Sequence, residues 1–160
     1  MTVDALFARL RLSNETVSGV GIQGNINVGL SERFGLGVSL GHALTIPAST
    51  LFIQIGLEAK WALTGTLYSK VNTVQSENKS ILKSESGKSG GIRLHGFIHE
   101  YIVNRNYLTK RYSGIGAALS YEFPSRTNLV FRLGLRGDYA FRENDSLLAL
   151  QAFGGAGLRF

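Results

Sequence analysis

The sequence predicts an all-β chain folded as a single antiparallel up-and-down β-barrel over residues 1–160, and three observations carry that prediction. Apolar residues recur with period two along most of the chain, which sorts side chains onto the two faces of a strand and would scramble them on a helix. The alternating runs extend to about 10–14 residues, longer than the ~5–6 usual in globular sheets. Clusters of Gly, Pro, Asn, Asp and Ser separate them, as in "SNETV", "TIPA", "PSR" and "REND".

Eight runs follow in order. In 4–12, Leu6, Leu10 and Leu12 oppose Phe7, Arg9 and Arg11, which sets the two arginines on the polar face. In 18–30, Val20, Ile22, Ile26, Val28 and Leu30 oppose Gln23, Asn25 and Asn27. In 33–43, Phe34, Leu36, Val38 and Leu40 oppose glycines and Ser39. The run 49–63 sets Leu51, Ile53, Ile55, Leu57, Ala59, Trp61 and Leu63 against Gln54, Glu58 and Lys60.

Residues 64–90 differ: they are rich in Ser, Lys and Asn, alternate weakly, and read as a polar hairpin or an insertion. Alternation resumes in 91–103, with Ile92, Leu94 and Ile98 against Arg93, His95, Phe97, His99 and Tyr101. In 112–123, Ile115, Leu119, Tyr121 and Phe123 oppose Gly114, Gly116, Ser120 and Glu122. In 127–141, Leu129, Phe131, Leu133, Leu135, Tyr139 and Phe141 oppose Arg132, Arg136 and Asp138. The run 147–160 sets Leu148, Leu150, Ala152, Ala156, Leu158 and Phe160 against Gln151, Phe153, Gly155, Gly157 and Arg159.

Composition bounds the setting. The chain has no cysteine, hence no disulfide and no thiolate chemistry, and no apolar run of the length a transmembrane helix needs. Its +6 formal charge is spread along the whole chain, so no nucleic-acid-binding stripe stands out. The first residues lack the basic-then-apolar pattern of an export signal, so Met1 is read as an expression start with any signal removed.

A soluble barrel keeps its apolar faces inside, whereas a membrane barrel turns them toward lipid and keeps a polar interior. The transmembrane form is favoured. The apolar faces are nearly free of charge at their centres, where an arginine would cost about 2–4 kcal/mol at the bilayer midplane. The polar faces combine small residues with a few long charged ones, as a narrow interior requires. Aromatic residues gather at strand ends: with both termini periplasmic, Phe34, Trp61, Tyr121, Phe123 and Phe160 form one interfacial girdle, and Tyr139 and Phe141 the other. Segment 64–90 must then add an even number of strands. Ten is slightly favoured, because periplasmic turns are normally short; eight is the alternative.

The closing "GGAGLRF" resembles the C-terminal signal of bacterial outer-membrane β-barrel proteins, with Gly155, Leu158 and Phe160 at the matching positions and Phe153 where that family prefers a polar residue. The resemblance implies a small, porin-like barrel in the outer membrane of a Gram-negative cell. Its implied partners are the bilayer, lipopolysaccharide and, during insertion, the barrel-assembly machinery. It leaves the oligomeric state open.

Alternation points Arg9, Arg11, Glu58, Lys60, Arg93, His95, His99, Glu122, Arg132, Arg136, Asp138 and Arg159 inward, which predicts a buried polar network with a basic excess. The role this suggests is structural or surface-interacting. Two alternatives are a narrow anion-preferring channel and a lipid-modifying enzyme built on His95 or His99 with Ser120 and Glu122. No H-x-S arrangement like that of the lipid A deacylases supports the enzyme, so no catalytic residue is assigned. His95 and His99 lie roughly 13 Å apart on a strand, too far to share a metal ion, and no metal or cofactor is expected. Gly19, Gly21 and Gly24 match a dinucleotide fingerprint only in letters, because a strand continues where that motif needs a helix. The stretch 104–112, "NRNYLTKRY", reads as the longest outer loop.

Overall fold

A computed structural model describes the chain apart from residues 13–14, 47–49, 68–69, 77–78, 86–89, 106, 126–127 and 160, with backbone alone at 46, 70–76 and 79–85. Eight strands form a closed wall: β1 (Thr2–Leu12), β2 (Glu15–Gly29), β3 (Phe34–Ile46), β4 (Leu51–Ala62), β7 (Gly91–Arg105), β8 (Leu108–Glu122), β9 (Leu129–Arg142) and β10 (Asp145–Leu158). Between β4 and β7, β5 (Lys70–Ser76) and β6 (Lys79–Glu85) pair only with each other. The order around the wall is β1-β10-β9-β8-β7-β4-β3-β2, every neighbour antiparallel.

The favoured count of ten is therefore corrected to eight. The hairpin expected within 64–90 exists but stays out of the wall, because β4 pairs directly with β7 from Leu51–Asn104 to Ala62–Arg93. At seven residues each, β5 and β6 also fall short of the ~9–11 a tilted strand needs to cross hydrocarbon. The proposed outer loop 104–112 is corrected as well. Pairing of β7 with β8 runs out to Arg105–Leu108, and Tyr107 between them has φ 65°. A tight turn joins β9 to β10, with Glu143 at φ 44°.

The wall closes where β10 meets β1, from Thr2–Gly157 to Leu12–Leu147. Gly155 sits opposite Asp4 in this seam, and a Cβ there would come within 2.7 Å of the Asp4 Cα. The seam closes tightly because that position has no side chain.

Side chains alternate across the wall as the period predicts, with one inversion of phase. Strand β1 turns Thr2, Asp4, Leu6, Ala8 and Leu10 inward, and leaves Phe7, Arg9 and Arg11 exposed on the outer face. Arg9 and Arg11 thus leave the interior set. Both faces of β1 carry apolar residues, so alternation alone does not fix its phase. Asp4, which shares a face with Leu6 and Leu10, pairs with Arg132 inside and decides it.

The outer face is a continuous apolar belt that includes Val20, Ile22, Leu40, Ile55, Leu57, Ile98, Ile115, Leu133, Leu135 and Leu150, each at least half exposed. At the end that carries the termini, Phe34 packs on Trp61 at 5.1 Å and Tyr121 on Phe123 at 5.3 Å between ring centroids. Tyr139 and Phe141 are exposed toward the other end. Phe160, assigned to both the girdle and the C-terminal signal, lies outside the described residues.

Candidate functional site

Strand β7 supplies a ladder through the interior. Its inward residues are Arg93, His95, Phe97, His99, Tyr101 and Val103, and along them the surroundings change from charged to apolar.

At the terminal end of the barrel, Glu122 of β8 gathers three cations. Arg93 Nε donates to it at 3.0 Å, Arg159 Nη2 at 3.1 Å, and Lys60 Nζ completes the group. Arg93 also donates to the carbonyls of Thr64 and Thr66, which ties the segment after β4 to the barrel mouth. Beside this group, Arg132 grips Asp4 through Nε at 2.9 Å and through Nη2. Asn25 Nδ2 donates to Asp4 at 2.8 Å and Gln23 to Asn25 at 2.6 Å. Asp138 sits further along, where it accepts from Arg136 Nε and the Tyr101 hydroxyl, each at 2.8 Å, and from Gln151 Nε2 at 3.2 Å. Arg136 also stacks over the Phe97 ring, its Cζ 3.7 Å from the centroid.

The central level holds a chain of three groups. Glu58 Oε1 meets His95 Nδ1 at 2.5 Å, and His95 Nε2 meets Ser120 Oγ at 2.7 Å. With the carboxylate accepting from Nδ1–H, Nε2 is left to accept from the serine, which is the order of a serine-hydrolase triad. The geometry is right, and the surroundings are wrong for acyl transfer. All three residues are at most 3% exposed, and the nearby cavity between Glu58, His95, Arg132 and Phe153 has room for about one water molecule. Ser120 is closed off from bulk solvent. The hydrogen-bonded chain links β4, β7 and β8.

Beyond Tyr101 the interior becomes apolar. Ala8, Leu10, Val17, Phe52, Tyr101, Val103, Tyr112, Ala140, Leu147 and Ala149 form one buried cluster, with Leu12 against it. Above it the mouth is crossed by ion pairs: Arg105 binds Glu15 through both η nitrogens, and Asp145 accepts from Lys110 at 3.1 Å and from the Tyr112 hydroxyl at 2.7 Å.

Of the residues expected inside, Glu58, Lys60, Arg93, His95, His99, Glu122, Arg132, Arg136 and Asp138 are buried there and Arg159 is half-buried, while Arg9 and Arg11 stand outside. Asp4 was missed, and its charge is the signal that could have found it. With Asp4 in and two arginines out, Lys60, Arg93, Arg132, Arg136 and Arg159 face Asp4, Glu58, Glu122 and Asp138, so the expected basic excess nearly cancels. The acid bonded to His95 is Glu58, not the Glu122 considered from sequence. Among the described residues no group of three or more His, Cys, Asp or Glu is placed to hold a metal ion.

A solved structure of neisserial surface protein A superposes with a TM-score of 0.72 over 99% of this chain and 95% of that one, at 13% identity. The fold is that of the small outer-membrane β-barrels. Ail, the attachment invasion locus protein of Yersinia pestis, superposes with a TM-score of 0.51 over 99% of this chain and 96% of that one, at 9% identity, in a crystal structure with the heparin analogue sucrose octasulfate. No protein-family model and no curated protein matches the sequence.

Proposed function

We propose that this protein is an integral outer-membrane β-barrel with a structural role, non-conducting, whose interactions are made mainly through its lipid-facing wall. The observation that carries the reading is the filled interior: an eight-stranded barrel is just wide enough for side chains to pack, and here ion pairs occupy one part and an apolar plug the other. The apolar belt and the aromatic residues near both ends of the wall support membrane insertion. The likeness to neisserial surface protein A supports the location in the outer membrane.

The C-terminal Gly155, Leu158 and Phe160 fit recognition by the barrel-assembly machinery. That role is tested by replacing Phe160 with Ser and following insertion in cells against insertion into bare vesicles. A loss confined to cells supports it.

The test of the main reading pairs vesicle insertion with planar-bilayer recording. The folded protein should co-float with vesicles and resist extraction by carbonate, and the bilayer should carry no unit conductance. Reproducible anion-selective steps would replace this reading with that of a channel, and solubility without detergent would remove the membrane altogether.

A further inference from the structure

Among the described residues, the outward-facing arginines of β1 take no part in the ion-pair network of the interior. Arg9 and Arg11 share the outer face of one strand, so their Cα atoms lie about 7 Å apart. Neither has a carboxylate partner among the described residues, whereas Arg105 pairs with Glu15, Lys110 with Asp145 and Arg111 with Glu100 at 3.9 Å.

The register places polar neighbours beside them. On β2, Ser18 stands opposite Arg9 and Thr16 opposite Arg11, both exposed on the same outer face. On the other flank stand Leu150 and Leu148 of β10, both exposed. Two cations and two hydroxyls therefore border an apolar strip, at the end of the wall away from the termini. In hydrocarbon an unpaired guanidinium is unfavourable, and these side chains are long enough to reach up to headgroup level. The guanidinium fork matches the oxygens of a phosphate bidentately. The leucines beside it match the first carbons of acyl chains.

We propose that Arg9 and Arg11, with Thr16 and Ser18, form a seat on the outer wall for the phosphate of a lipid headgroup in the outer leaflet, its acyl chains lying along Leu148 and Leu150. The proposal rests on the membrane-spanning reading. That reading fails if the protein does not insert into vesicles; the seat fails if the inserted protein binds lipid the same way without its arginines.

The experiment uses the folded barrel in a non-ionic detergent, titrated with single lipids and read by native mass spectrometry. The probes are diphosphorylated lipid A, phosphatidylglycerol, uncharged diacylglycerol and inorganic phosphate. One lipid A or phosphatidylglycerol molecule should be retained per barrel, and diacylglycerol should not. The double substitution Arg9→Gln with Arg11→Gln should weaken retention about tenfold, as expected for losing two charge-assisted contacts at a partly exposed site. Arg9→Lys with Arg11→Lys should restore part of it, and Arg111→Gln should change nothing. Preference between lipid A and phosphatidylglycerol tells which lipid supplies the phosphate. Equal retention by the double Gln variant overturns the seat, and so does full competition by inorganic phosphate at the lipid's own concentration. If the double variant does not fold, Arg9→Gln and Arg11→Gln singly, each expected to weaken retention about threefold, decide in the same way.

Discussion

The interior of the barrel has two regions that fill the same width with opposite chemistry. Toward the termini, cations and carboxylates pair in fixed geometry: Glu122 with three cations, Asp4 with Arg132, Asp138 with Arg136. Toward the outer turns, Leu10, Phe52, Val103, Leu147 and their neighbours fill the space by packing alone. Tyr101 joins the two, its ring in the apolar cluster and its hydroxyl on Asp138. The ionic region specifies which strand faces which, because each charge needs a particular partner. The apolar region closes the lumen whatever the partner, provided the volume is right.

The difference can be broken most severely at Glu122. Glu122→Ala leaves Lys60, Arg93 and Arg159 without their shared carboxylate and should cost about 3–5 kcal/mol, read as a lower urea midpoint for unfolding from vesicles. A midpoint unchanged from the parent would mean that the terminal region is held by packing as well. In the apolar region, Leu10→Ala should cost about 2–4 kcal/mol in the same assay while leaving the ion pairs in place. Because the ionic layer still fills the lumen below it, that variant should remain electrically silent; steps in a bilayer recording would show that the plug alone blocks the barrel. Ser120→Ala removes one buried hydrogen bond and should cost about 1 kcal/mol. A fluorophosphonate probe should label neither the parent nor this variant, since Ser120 is a structural link; labelling of the parent alone would reopen the enzyme. The smallest effect is expected at the exposed rim, where Glu15→Gln should leave the urea midpoint unchanged at physiological salt.

The same contrast explains what could be read from the letters. Alternation reveals a strand's faces when one is charged and the other apolar, as for Glu58 and Lys60 against Leu57 and Trp61. It fails in β1, whose lower part contributes Asp4 to the ionic region and whose upper part contributes Leu6, Ala8 and Leu10, so one inward face is both polar and apolar. Arg9 and Arg11 were misassigned for that reason. Contacts between strands depended on the strand count. With 64–90 open between wall and insertion, only the eight-strand alternative put β4 beside β7, and the bond from Glu58 to His95 follows from that adjacency. Tyr107 and its neighbours looked like a loop because basic and polar residues dominate both arms of a tight hairpin.

The turns at the far end carry a consequence for recognition. There β7 and β8 pair out to Arg105–Leu108, and β9 and β10 out to Arg142–Asp145. A specific protein partner typically covers about 800 Å² on each side. Among the described residues, these two hairpin ends offer it the exposed ring of Tyr107 and a few rim charges. If that end faces outward, as the proposed insertion has it, an epitope added beside Tyr107 would stand clear of the wall and be open to antibodies.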